Sequence, residues 1–146
     1  MDQYSENKKI NLFKSLFKGR EDVFAIRWQK GNKGGYMPAY QYDPYMYRLH
    51  KMKGGTFKDY KDKTYLSLTD QQFQKHLNGE QLIGIYPLLQ DNTSWFIAAD
   101  FDKDNWAEEC QIFIKTCREK NITAYLERSR SGKGGHVWIF FDRPYP

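Results

Sequence analysis

The sequence has no apolar run of about 18 residues, the length a membrane-spanning helix needs, so no transmembrane helix is expected. Its first residues, with Asp2, Gln3, Glu6 and Asn7, lack the apolar stretch of a signal peptide. Cysteine is scarce: only Cys110 and Cys117 occur in 146 residues. Their spacing on one expected helix corresponds to a rise of about 10 Å, too far for a disulfide. A reduced, cytoplasmic protein follows from that cysteine usage. Internal repeats and low-complexity tracts are also missing. What the chain does have is aromatic side chains, 17% of the total, which excludes wholesale disorder. The length suits one ordinary domain with a core that needs no disulfide staples.

The net charge of +5 is unevenly spread. Residues 1–69 carry 14 basic and 7 acidic side chains, net +7, whereas residues 70–146 carry 9 and 11, net −2. The first half is therefore the expected partner surface. Within it, Lys51, Lys53, Lys58, Lys61 and Lys63 alternate with Phe57 and Tyr60. Lysines interleaved with rings suit nucleic acid, because ammonium groups meet phosphates and rings stack on bases. The same stretch also reads as a solvated lysine-rich loop.

Apolar periodicity predicts a helix over 6–18, a strand over 23–29, a turn at 31–35 and a strand over 36–40. Asp43-Pro44 can open a short helix through Leu49. Thr69 and Gln72 fit a capping box, with Gly79 as the helix stop. Further on, strands are expected over 82–88, 95–102, 122–129 and 136–141. Between them lies a helix capped by Asp104, with Trp106, Cys110, Phe113, Ile114 and Cys117 on one stripe. Both cysteines then pack as small hydrophobes. The order is β–β–α–β–β, a sheet with a helix across one face. Expected organisation is a basic αβ unit over 1–67 and a sheet unit over 68–146.

Two places carry chemistry. Strand alternation puts Phe96, Ala98, Asp100 and Asp102 on one face and Trp95, Ile97, Ala99 and Phe101 on the other. Two same-face carboxylates ending an apolar strand can hold Mg²⁺ or Mn²⁺ together with substrate phosphates. They equally read as a strand fraying into an acidic turn. The second place is the turn from Ser129 to His136. Gly132, Gly134 and Gly135 let backbone amides approach an anion. Ser129 and Ser131 add hydroxyls, and Arg128, Arg130 and Lys133 add positive charge. No Walker loop is present, because the order Gly-x4-Gly-Lys-Ser/Thr is missing and a strand follows. A basic hairpin turn with a packing histidine is the plainer reading. His50 and His76 read as surface or packing residues. Carboxylates beside a phosphate cradle and a basic half are together the parts of nucleotidyl transfer.

Asp100-x-Asp102 followed by Ser131-Gly-Lys-Gly-Gly-His136 resembles motifs I and II of the archaeo-eukaryotic primase superfamily. The wider wording at 68–70, 83–89, 91–96, 98–102 and 127–132 resembles the primase domain of TOTE conflict systems. Those are bacterial and phage-linked defence or mobile-element proteins in which this domain precedes a helicase. The resemblance implies an α+β fold, with an RRM-like sheet and crossover helix behind a smaller N-terminal αβ unit. It implies template-directed primer synthesis or polymerisation, with nucleic acid, a nucleoside triphosphate and a helicase domain as partners. Asp100 and Asp102 would hold metal, and His136, Ser129 or Ser131, Arg130 and Lys133 would meet the triphosphate. Relatives often carry a cysteine cluster ahead of the Leu68-Thr-Asp helix. The stretch 51–66 here has none, so zinc is not expected. The superfamily's third acidic motif would fall beyond Pro146, since Asp142 follows the hairpin strand too closely. Expectation is therefore an incomplete catalytic module. The alternatives are a non-catalytic nucleotide- or nucleic-acid-binding module, or a regulator derived from the same fold.

Overall fold

Glycines and short polar side chains set the element boundaries, and strand register then places the chemistry. The computed structural model describes residues 5–146. The chain is α+β, with helices and antiparallel sheets. Its described residues divide into two units, one up to Leu12 with Arg20–Tyr86, the other Phe13–Gly19 with Pro87–Pro146. The division falls inside helix α1 (Glu6–Leu16). No helix among the described residues is long and apolar enough to cross a membrane.

In the first unit, β1 (Ala25–Lys30) and β2 (Lys33–Pro38) form a hairpin. Gly31 leads its two-residue turn at φ +58°, the position that a type II′ turn reserves for glycine. The turn is thus shorter than the expected 31–35. Beyond it, β3 (Tyr40–Tyr42) pairs antiparallel with β4 (Lys63–Tyr65). Asp43 caps α2 (Pro44–Met52), its carboxylate accepting from the amides of Tyr45 at 2.8 Å and Met46 at 3.3 Å. Helix α3 (Asp70–Leu77) starts at Thr69 as expected, but the capping box does not form. The Gln72 amide, which a capping hydroxyl would take, instead meets the Thr69 carbonyl at 2.9 Å. Gly79 ends the helix at φ +75°.

The strand expected over 82–88 shortens to β5 (Ile83–Gly84), which pairs with β1 rather than with the later strands. The Tyr86 carbonyl already accepts from the Arg20 amide at 2.9 Å, and Pro87 offers no N–H to continue a ladder. Phe24, Val23, Ala39 and Phe73 are buried in this unit.

The second unit has the order β–α–β–β in place of the expected β–β–α–β–β. Strands β6 (Ser94–Phe101), β7 (Tyr125–Arg128) and β8 (Gly135–Tyr145) pair antiparallel in the order β6–β8–β7. Helix α4 (Trp106–Glu119) lies between β6 and β7 in sequence, with Cys110 and Cys117 buried on its apolar stripe. Burial pushes the Cys110 thiol up from its ordinary range. The cap is Asn105, not Asp104, and the Asn105 side chain reaches forward to Glu109 at 2.9 Å instead of closing the first turn. At the other end Asn121 adopts φ +57°, and the amides of Asn121 and Ile122 return to the carbonyls of Arg118 and Cys117. This Schellman arrangement consumes Ile122, so β7 begins only at Tyr125.

Register separates the two faces of this sheet. Ile97, Ala99 and Phe101 stand opposite Ile139, Val137 and Gly135, and Phe101 meets Phe113 of α4. The other face pairs Phe96 with Phe140, Ala98 with Trp138 and Asp100 with His136. Its apolar end is covered, since the Phe17 ring packs edge-on against Phe96, Trp138 and Phe140 at 5.0–5.9 Å. Only the end bearing Asp100 and His136 is left polar.

Candidate functional site

At that polar end, three strands contribute one side chain each to a single row. Asp100 of β6 stands opposite His136 of β8, and His136 stands opposite Glu127 of β7. His136 Nε2 lies 3.6 Å from Asp100 Oδ1, and its Nδ1 lies 3.3 Å from Glu127 Oε2. The indole N–H of Trp138 donates to the same Glu127 oxygen at 2.8 Å. The three side chains are 33% (His136), 61% (Asp100) and 55% (Glu127) exposed, so the row opens to solvent. Glu127 and Trp138 as partners of the histidine were not identified from sequence. Strand parity alone could mark Glu127, but only the β7–β8 register reveals what it faces.

Asp102 lies just past the end of β6, next to the turn. The structure brings them together at Gly134. A Cβ on Gly134 would come 2.7 Å from the Phe101 carbonyl, 3.1 Å from Asp102 Oδ1 and 3.3 Å from Ser129 Oγ. Only glycine admits that approach, with the Asp102 carboxylate and the Ser129 hydroxyl both flanking the same backbone position. Gly135 plays a similar part toward the helix, since a Cβ there would meet the Trp106 ring at 2.9 Å and Cys110 Sγ at 3.1 Å.

The turn is internally braced. The Ser129 amide donates to the Gly134 carbonyl at 2.9 Å and the Gly132 amide to the Ser129 carbonyl at 2.8 Å. Gly132 sits at φ +72°. The Lys133 amide donates to Ser131 Oγ at 3.3 Å, and the two serine hydroxyls lie 3.2 Å apart. Arg128 spends a guanidinium N–H on the Gly132 carbonyl at 3.2 Å, so it holds the turn rather than projecting from it. Arg130 and Lys133 are exposed.

No group of three His, Cys, Asp or Glu side chains placed to hold a metal occurs among the described residues. Two carboxylates with phosphate oxygens nevertheless form the hard, all-oxygen donor set that Mg²⁺ or Mn²⁺ takes. Asp100 and Asp102 fit that chemistry on one strand end, beside a hydroxyl-bearing turn.

The lysine-rich stretch belongs to the first unit. Lys51, Lys53, Lys58 and Lys61 are exposed. Lys63 is turned inward: its ammonium donates to the carbonyls of Phe57, Lys58 and Tyr60, and it lies over the rings of Tyr40 and Phe57. His50 closes the same loop, with Nε2 at 3.2 Å from the Thr56 carbonyl and 3.3 Å from Asp59.

The antiparallel β–α–β–β sheet, with two acids at the end of β6 and a histidine beside a glycine-rich basic turn, goes with a family whose fold is primase–polymerase-like. The sequence model of the archaeo-eukaryotic primase domain of TOTE conflict systems matches residues 8–146, and the chain belongs to that family. No curated protein matches the chain.

Proposed function

We propose that this chain is a primase–polymerase-type module that binds a nucleoside triphosphate with a divalent cation at the Asp100–His136 end of its sheet and transfers nucleotides on a nucleic-acid template. The observation that carries the reading is Gly134, flanked by the Asp102 carboxylate and the Ser129 hydroxyl, where the turn leads into the strand that pairs His136 with Asp100. Asp100 and Asp102 would hold Mg²⁺ or Mn²⁺. Such an ion, when bound, neutralises phosphate charge and makes a hydroxyl a better nucleophile. His136, in the middle of the row, turns Nε2 toward the Asp100 side and would donate a hydrogen bond to a phosphate oxygen there. Ser129, Ser131, Arg130 and Lys133 line the turn as further donors and positive charges. Lys51, Lys53, Lys58 and Lys61 contact the nucleic-acid backbone, while Lys63 keeps their loop in shape.

The test is titration of the chain with a fluorescent nucleoside triphosphate, with and without Mn²⁺. Cation-dependent binding that falls in Asp100→Ala and His136→Ala supports the reading. Binding that ignores both the cation and these substitutions overturns it. A second reading, nucleotide binding without transfer, is favoured by one observation: among the described residues no group of three His, Cys, Asp or Glu side chains is placed to hold a metal. Incorporation of labelled nucleotide on a primed template separates the two.

A further inference from the structure

The β1–β2 hairpin carries a surface that the nucleotide site does not use. Strand alternation puts Ile26, Trp28 and Lys30 of β1 on one face with Lys33, Gly35 and Met37 of β2. Trp28 stands directly opposite Gly35, and its ring lies across that glycine: a Cβ there would come within 3.3–3.4 Å of three ring atoms. One face of the indole is thereby covered by backbone, which fixes its plane at little entropic cost on binding. Trp28 is still 41% exposed. It borders an apolar hollow of about 370 Å³, together with Ile26, Met37, Tyr40, Tyr42 and Phe57.

At the hairpin tip, Lys30 and Lys33 are paired directly across the two strands. Like charges in that position destabilise a hairpin. Both lysines are exposed, and neither has an acidic partner among the described residues. An anion bound at the tip would relieve that repulsion. An aromatic hollow continuing along one strand face into two exposed ammonium groups matches a base and its flanking phosphates.

We infer that this face is a subsite for single-stranded nucleic acid, in which a base stacks on Trp28 in the hollow and the adjacent phosphates meet Lys30 and Lys33. The inference rests on the reading that the chain binds a template strand, and it names where an unpaired stretch of that strand sits. The surrounding unit favours this occupant, since residues 5–12 and 20–86 carry 13 basic and 8 acidic side chains.

The experiment compares the full chain's affinity for an oligothymidylate and for an abasic oligonucleotide of equal length and charge, read by anisotropy and by tryptophan quenching. The oligothymidylate should bind more tightly, and Trp28→Ala should weaken it about 5- to 150-fold, the range that base–aromatic stacking carries. Trp28→Ala should leave the abasic strand almost unaffected. The double substitution Lys30→Ala with Lys33→Ala should weaken both strands and lower the slope of log affinity against log salt by about 1.4, two single-strand phosphate contacts. Should Trp28→Ala fail to fold, Trp28→Tyr against Trp28→Leu carries the test, since only tyrosine keeps a stacking face. Equal affinity for the two strands, with Trp28 substitutions silent, overturns the subsite and leaves the template reading standing. Failure to bind either strand overturns both. Quenching of Trp28 by an acidic peptide but not by the oligonucleotide overturns it in favour of a protein partner.

Discussion

Trp138 donates its indole N–H to Glu127 at 2.8 Å, reaching from the central strand of the second unit's sheet to its edge strand. That bond steadies the carboxylate that faces His136 Nδ1, and a carboxylate there fixes the orientation of the ring, with Nε2 on the Asp100 side. In the proposed site Glu127 would thus be a positioning residue. Glu127→Gln should weaken cation-dependent nucleotide binding by about tenfold, as outer partners of a functional histidine commonly do. Its melting temperature should stay close to that of the parent chain, because the glutamine oxygen can still accept from Trp138. Nucleotide titration beside a thermal melt checks this, and unchanged affinity would remove Glu127 from the site.

Gly134 predicts a second outcome. Alanine there must displace either the Phe101 carbonyl or the turn, at a cost of about 1–3 kcal/mol by the usual scale of overpacking. The displacement separates Asp102 from Ser129, so nucleotide affinity should fall with stability. Gly132→Ala, by contrast, strains a backbone at φ +72° and crowds the movable Arg128 guanidinium at 3.1 Å, and should cost about 1–2 kcal/mol. Chemical denaturation and nucleotide titration of both variants distinguish a local strain from a lost site.

The five lysines of the 51–63 stretch should divide into two groups. Alanine at Lys51, Lys53, Lys58 or Lys61 should leave stability within about 0.5 kcal/mol, as exposed positions do, and weaken nucleic-acid binding in a salt-dependent way. Lys63→Met keeps the aliphatic stem but abandons three carbonyls. It should destabilise the first unit by about 1–3 kcal/mol, the range for charge-assisted hydrogen bonds. Equal stability across all five variants would contradict the inward role of Lys63.

Acid should loosen the same loop through Asp59. The hydroxyl and amide of Thr56, then His50, hold the Asp59 carboxyl well below the usual carboxylate range. A carboxyl with a depressed folded value stabilises above its unfolded value, near pH 3.9, and loses that contribution as the pH falls below it. Asp59→Asn should therefore show a flatter fall in stability below about pH 4 than the parent chain. Denaturation midpoints measured at several acidic pH values decide this. Parallel curves would mean that the Thr56–Asp59 bonds do not persist in solution.

Local signals in the sequence were read well where the residue and its partner are close together. Asp43 caps α2, Gly79 stops α3, and the α4 stripe buries Cys110 and Cys117. Asp91 is as local, its carboxylate accepting from the amide and hydroxyl of Thr93 two residues on. Reading failed where an outcome depends on distant chain. Nothing local to Ile83 says that it joins β1, and nothing local to Phe96 says that Phe17 will cover its face. The candidate site was legible as two motifs, but the β6–β8 register that sets Asp100 against His136 is a property of the assembled sheet. Caps failed for a different reason: Asp104 and Asn105 are both competent, and the sequence does not rank them.

The polar row crosses the strands instead of running along one, and this has a consequence for linkage. Strands β6 and β7 are not neighbours; each is bonded only to β8. A ligand held by Asp100 on one and by the turn leaving the other would act as a tie across the sheet, adding a connection that the backbone ladders lack. Whatever binds the folded row and not the unfolded chain raises the unfolding free energy by RT ln(1 + [L]/Kd). Occupancy should therefore register as slower amide exchange along the outer strands, far from any atom that the ligand touches.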